Sequence, residues 1–352
     1  KGEAEMSGIP VKRRSLLKYA ALAATFSMGL VSTSALAKDV TLRMSTWLPP
    51  QHHLISDTLP AWFAAVDEAS GGTLTIKLDP APIAKPPGQY DVVRDGAADM
   101  AYHVTGYTPG PFEILRGLEL PFLSPNGEIG SQAAWDWYDR NIGFEKEFKD
   151  VKVVTIMTAG PGVIHSRQEI KSLEDLEGVK LRVGGGGVRV AEGLGATPVA
   201  MPASKAYEAI QKGVADGAMF PMEGVKGHRL GELVDYHLEV PNGLYTTPFA
   251  VIMNRKSYDA LSDEHKKVLD DLGGLNGAKI LGAGWDRADI AGRKFATENN
   301  GTINVLSDAE VARWAEKLAF MNDEWVAMAD ERGLDGKALL EDLQATIKKY
   351  SN

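Results

Sequence analysis

The sequence predicts an α/β protein made of two similar domains. Three observations carry this expectation. Strand-like and helix-like segments alternate along most of the chain. One helix–glycine–alanine–aspartate–strand unit occurs twice. The chain has 352 residues, 44% hydrophobic and 24% charged, which is enough for two cores.

The first 37 residues stand apart. Lys12, Arg13, Arg14 and Lys18 form a basic head, Tyr19 to Val31 an apolar run, and Ser32-T-S-A-L-Ala37 a small-residue A-x-A pattern. That order is the order of a secretory signal, with cleavage expected after about Ala37. The apolar run of 13 residues is shorter than the span of about 20 that crosses a bilayer. No stable membrane insertion of the mature chain is expected. Arg13-R-S-L-L-Lys18 also resembles a twin-arginine signal, but paired arginines occur in ordinary secretory heads too, so both export routes stay open.

The net charge is −9, and removal of a leader carrying five basic and two acidic residues leaves −12. So acidic a chain is a poor partner for nucleic acid or anionic lipid, and any anion site must be local. There is no cysteine, which excludes disulfides, cysteine-based zinc sites and a thiol nucleophile.

Val40 to Trp47, Thr73 to Leu78, Val151 to Met157 and Val179 to Val183 read as strands. Ile55, Leu59, Trp62, Val66 and Ala69 make a helical stripe that stops at Gly71-Gly72. Ser172-L-E-Asp175 starts a short helix stopped by Gly178. The repeated unit is D-G-A-A-D-M-A-Y at 95–102 and K-G-V-A-D-G-A-M at 212–219. Gly96 and Gly213 suit the left-handed residue after a helix, and Asp99 and Asp216 the turn into a strand. Ligands in open α/β sheets sit beyond strand carboxyl ends, so a cleft is expected just after Tyr102 and Met219. Ser262 opens a long amphipathic segment towards Asn300, loosened by Gly273, Gly274 and Gly277. Ser307-D-A-Glu310 caps a helix whose stripe Val311, Trp314, Leu318, Met321 and Trp325 reads as packing. The segment from Leu334 closes the chain as a surface helix.

Catalytic signatures are missing: there is no G-x-S-x-G, no H-E-x-x-H and no Walker loop. Gly184 to Gly187 fails the dinucleotide spacing and reads as a loop whose backbone approaches a ligand. The seven histidines are scattered, and the adjacent His52 and His53 cannot serve one helical face, so no metal site and no cofactor are expected. Arg182 stands out inside the apolar strand Val179-K-L-R-Val183. A guanidinium there either forms an ordinary salt bridge or reaches into a polar pocket, where its fork matches a carboxylate. Trp47 ends its strand near a sheet's carboxyl edge, and His103 lies near the expected cleft.

Ser172-L-E-D-L-E-G-V-K-L-R-Val183, Leu194-G-A-T-P-V-A-M-P-Ala203, Tyr207-E-A-I-Q-K-G-V-A-D-Gly217 and Met253-N-R-K-S-Tyr258 together resemble the substrate-binding subunit of TRAP transporters, the DctP-like family. The resemblance covers nearly all of the chain after the leader. It implies a two-domain class II periplasmic-binding-protein fold with a hinge and a long helix spanning both domains. Domain I would comprise 38–159 plus about 249–287, and domain II 160–248 plus about 288–352, with the ligand cleft between them. It implies periplasmic capture of an organic acid, delivery to the transporter's membrane subunits, no enzymatic activity, and pairing of Arg182 with a ligand carboxylate. A sensor feeding a signalling receptor is the alternative reading.

The chain departs from sialic-acid-binding relatives at three places. Val104 stands where they carry an acidic residue, Phe220 where they carry asparagine, and Pro161-Gly162 near their second arginine. The expected pocket therefore has one strong anion anchor and apolar walls built from Trp47, Val104, Met219 and Phe220, with Tyr245 and Phe249 beside them. Such a pocket would leave a sugar acid's hydroxyls unpaired, at about 1–3 kcal/mol for each buried group. The expectation is a monocarboxylate with an apolar or aromatic body. Calcium binding through Glu223, seen in some relatives, is not expected.

Overall fold

The computed structural model describes Gly2, residues 39–108 and residues 110–352. Apart from Gly2, the leader lies outside the described residues. Eleven strands form two sheets: β1 (Val40–Ser45), β2 (Leu74–Leu78), β3 (Met100–Val104), β4 (Val151–Thr158), β5 (Gly162–Ser166), β6 (Lys180–Val183), β7 (Thr197–Ala200), β8 (Gly217–Pro221), β9 (Tyr236–Glu239), β10 (Pro248–Asn254) and β11 (Thr302–Val305). The first sheet runs β2-β1-β3-β10-β4, and the second β11-β9-β5-β8-β6-β7.

The two sheets repeat one plan. In the first, β2, β1 and β3 are parallel and β10 lies antiparallel between β3 and β4. In the second, β7, β6 and β8 are parallel and β5 lies antiparallel between β8 and β9. Each antiparallel strand comes from the far side of a crossing: β4 leads into β5, and β9 leads back into β10.

The repeated sequence unit accounts for the matching cores of these sheets. Gly96 and Gly213 end the helices Gln89–Arg94 and Ala206–Gln211 with φ of 77° and 70°. Asp99 then accepts the backbone N–H of Arg43 (2.9 Å) and donates its own to the Arg43 carbonyl (3.1 Å). Asp216 does the same with Lys180, at 3.0 and 2.7 Å. In both lobes one aspartate ties the third strand to the first.

The segment from Ser262 divides. Ser262 caps Asp263–Leu272, the chain turns at Gly273, and a second helix runs Gly274–Glu298. At 1.5 Å per residue it spans about 38 Å. It packs on β4 and the helix Gly127–Asn141 of the first lobe and on β11 and Gly224–Gly227 of the second. Asp286 accepts the N–H groups of Gly127 and Glu128 (2.6 and 3.1 Å) and so caps the helix Gly127–Asn141. The Ser307 stripe also divides, into Asp308–Leu318 and Phe320–Glu331. Its aromatics pack as expected: Trp314 and Trp325 are buried. No helix among the described residues is long and apolar enough to cross a membrane.

Candidate ligand-binding site

The carboxyl ends of β1, β3, β6 and β8 converge on a cleft between the two sheets. It encloses about 490 Å³ of space free of protein atoms, its mouth included. Arg182, Trp47, Val104, Met219, Phe220, Tyr245 and Phe249 all line it.

Arg182 is buried, with 3% exposure, and has no carboxylate within ion-pair distance among the described residues. Its Nε and Nη2 donate to the Met201 carbonyl (3.1 and 2.7 Å), and Nη2 also to the Tyr107 hydroxyl (3.2 Å). These acceptors are neutral. A desolvated cation satisfied only by neutral dipoles attracts an anion strongly, because little water competes for it. The Tyr107 oxygen accepts from Arg182 and from the Ala203 N–H (2.9 Å), which leaves its own proton to donate elsewhere. The buried Trp47 indole N–H has no partner. Arg182, Tyr107 and Trp47 line the same cleft, with the Trp47 and Tyr107 ring centroids 6.3 Å apart.

The apolar walls have specific causes. The Tyr245 ring occupies the space where a side chain on Gly162 would begin. Phe249 stacks on Trp285 of the spanning helix, with ring centroids 5.1 Å apart and planes 11° apart. Gly184 lines the cleft, whereas Gly185 and Gly186 press on Gly106 and Glu119 of the first lobe. The glycine tract therefore serves mainly as a close contact between lobes.

Two expectations need correction. His103 does not line the cleft. Strand alternation turns Tyr102 and Val104 towards it and His103 to the opposite face, between Tyr90 (5.5 Å) and Phe112 (5.1 Å). Burial lowers its pKa to about 3, and neither ring nitrogen has a partner. The cleft is also not uniformly apolar beyond Arg182. At its other end stand His52, His228, Glu223 and Trp285, none of which the sequence reading placed there.

Glu223 is 2% exposed, and its Oε1 has no hydrogen-bond partner. His52 Nε2 lies 3.7 Å from Oε2 and His228 Nε2 3.8 Å from Oε1. Burial, reinforced by Asp289, pushes the Glu223 carboxyl well above the ordinary range, and burial lowers His52 and His228. His52 and His53 stack (4.6 Å), and with Glu223 each brings one potential donor atom within 4.8 Å of the others. The helical-face argument fails because His52 stands in the bend before the helix and His53 at its N-cap. His52 Nδ1 accepts the Leu54 N–H (3.2 Å), so the neutral ring carries its proton on Nε2. That nitrogen is a donor towards Glu223, not a lone pair available to a cation.

The two-sheet plan, the crossings and the cleft correspond to an established profile. Residues 44–327 match the DctP profile, bacterial extracellular solute-binding protein, family 7. The chain belongs to this family. Family 7 members are bacterial extracellular solute-binding proteins. Three solved structures illustrate the likeness. A TRAP periplasmic solute-binding protein from Bordetella bronchiseptica, with bound (R)- and (S)-mandelate, is 34% identical, with 88% of this chain and 99% of that chain covered and a TM-score of 0.84. One from Rhodoferax ferrireducens with copurified benzoate is 34% identical, covering 89% and 98%, with a TM-score of 0.84. A marine metagenome protein specific for aromatic acid ligands, in complex with 3-hydroxybenzoate, is 37% identical, covering 90% and 100%, with a TM-score of 0.85.

Proposed function

We propose that this chain captures an aromatic monocarboxylate in the periplasm and delivers it to the membrane subunits of a TRAP transporter. The observation that carries the reading is Arg182: a buried guanidinium with no carboxylate partner among the described residues, at the end of an aromatic-lined cleft. A ligand carboxylate would take the place of the missing partner, with Tyr107 and Trp47 as further donors. The aromatic body would lie against Phe220, Phe249 and Tyr245. Solved relatives that bind mandelate, benzoate and 3-hydroxybenzoate support this class of ligand.

Capture requires the lobes to part and close. We take the hinge to run through the crossings after β4 and before β10, with lobe boundaries near 159/160, 248/249 and 287/288. The lone antiparallel strand that each crossing supplies supports this assignment.

A thermal-shift panel tests the proposal. A ligand that binds only the folded state raises stability by RT ln(1 + [L]/Kd), so ranking by shift ranks affinity. Benzoate, mandelate and hydroxybenzoates should stabilise the protein more than galactonate or succinate at equal concentration. A larger shift with the sugar acid or the dicarboxylate would overturn the assigned ligand class.

A further inference from the structure

The cleft has two poles, and the second has no assigned role. Phe220 touches both. The Arg182 guanidinium lies 4.5 Å from its ring centroid, and the His228 ring lies 4.8 Å from the same ring. On the His228 side the Glu223 carboxyl presents an unpartnered oxygen, and the Trp285 indole N–H, also buried, is likewise unpartnered. Orphaned buried polar atoms are rare, and each costs roughly 1–3 kcal/mol unless something bonds to it.

The cluster is held in place from behind. The Glu223 N–H donates to Asp289 Oδ1 (2.7 Å) on the spanning helix, four residues after Trp285. Gly227 leaves room for the carboxyl, since a side chain there would meet Glu223 Oε2. His52 Nδ1 is occupied by the Leu54 N–H, which aims its Nε2 proton at Glu223. The arrangement offers a donor and an acceptor on rigid elements, linked to the carboxylate anchor through the Phe220 ring that both Arg182 and His228 touch.

We infer that Glu223, with His52, His228 and Trp285 around it, is a second recognition pole that hydrogen-bonds a hydroxyl group on the ligand's ring, making this chain selective for hydroxylated aromatic acids over the bare acids. The inference rests on the proposed carboxylate-binding function of Arg182. A hydroxyl suits the pole because it donates and accepts at once, as a protonated carboxyl does. A second carboxylate on the ligand does not suit it, because among the described residues Glu223 has no lysine or arginine within ion-pair distance, only two histidines whose pKa values burial lowers.

The test is titration calorimetry with benzoate, 3-hydroxybenzoate and 4-hydroxybenzoate on the wild type, Glu223→Gln and Glu223→Leu, after treatment with a chelator. Thermal melts check that each variant is folded. At least one hydroxybenzoate should bind the wild type about tenfold or more tighter than benzoate, the worth of one well-placed buried hydrogen bond. That ratio should fall to near one in Glu223→Leu and be partly kept in Glu223→Gln, whose amide still donates and accepts. A wild-type ratio near one, or a ratio that survives in Glu223→Leu, overturns the second pole while leaving carboxylate capture intact. A preference that the chelator abolishes and zinc restores also overturns it, by making the cluster a metal site. Failure of every aromatic acid to bind the wild type overturns both readings.

Discussion

The guanidinium of Arg182 lies over the ring of Phe220, with its central carbon 4.5 Å from the ring centroid. Phe220 thus provides a platform under the chain's own cation. A desolvated cation–π contact is worth about 0.5–2 kcal/mol. Phe220→Leu should therefore weaken benzoate binding by about 2- to 30-fold, as read by calorimetry. Binding as tight as in the wild type would mean that the ring does not support the anchor.

Tyr245 and Gly162 share one volume, since any side chain at residue 162 displaces the ring. Gly162→Ala forces a shift in a packed wall, a change that commonly costs about 1–3 kcal/mol. The variant should lose that stability in urea titrations and bind aromatic acids more weakly. Normal stability and affinity would show that Tyr245 moves aside without penalty.

His103 packs between Tyr90 and Phe112 with both ring nitrogens unpartnered, away from the cleft. His103→Leu removes buried polar atoms and keeps much of the volume. We expect stability to rise by about 1–3 kcal/mol, with aromatic-acid affinity unchanged. A loss of affinity would return His103 to the site.

Asp289 and the buried histidines bend stability in opposite directions with pH. Burial raises the Asp289 carboxyl from 3.8 to about 7. Its folded value exceeds its unfolded one, so its contribution is full below about pH 4 and is lost as pH rises to about 7, a change of about 4 kcal/mol. Burial lowers His103, His165 and His228 to about 3, so their contribution is full above pH 6.5 and is lost as pH falls towards 3. Asp289→Asn keeps an acceptor for the Glu223 N–H and removes the acid. Its stability relative to wild type should rise between pH 4 and pH 7 in denaturant titrations. A difference that falls over this range would reverse the assigned direction.

Much of the fold was legible because its determinants are local. Gly96 with Asp99, and Gly213 with Asp216, spell a helix stop and a strand start within a few residues, and the same tie to the neighbouring strand follows in both lobes. Ser307 likewise caps its helix as the sequence indicates, accepting from the Glu310 N–H at 3.3 Å. The breaks at Gly273 and Ala319 were less legible, because apolar periodicity continues across them and only packing decides the turn. In the site, Arg182 was readable as a charge inside an apolar strand. His103 was misplaced for want of one rule: adjacent strand residues face opposite sides, so His103 and Val104 could not both enter the cleft. Glu223, His52, His228 and Trp285 come from three separate stretches with no shared spacing. The sequence hints were the adjacent His52 and His53, set aside as a metal pair, and Glu223, weighed only for calcium.

The central claim is that Arg182 anchors a ligand carboxylate, and calorimetry of benzoate against wild type, Arg182→Lys and Arg182→Gln tests it most directly. Losing one partner of a buried charged pair costs about 2–5 kcal/mol, so Arg182→Gln should bind at least about 30-fold more weakly. Arg182→Lys should fall between, since it keeps the charge without the fork. Equal affinity in wild type and Arg182→Gln, with both proteins folded, would contradict the account.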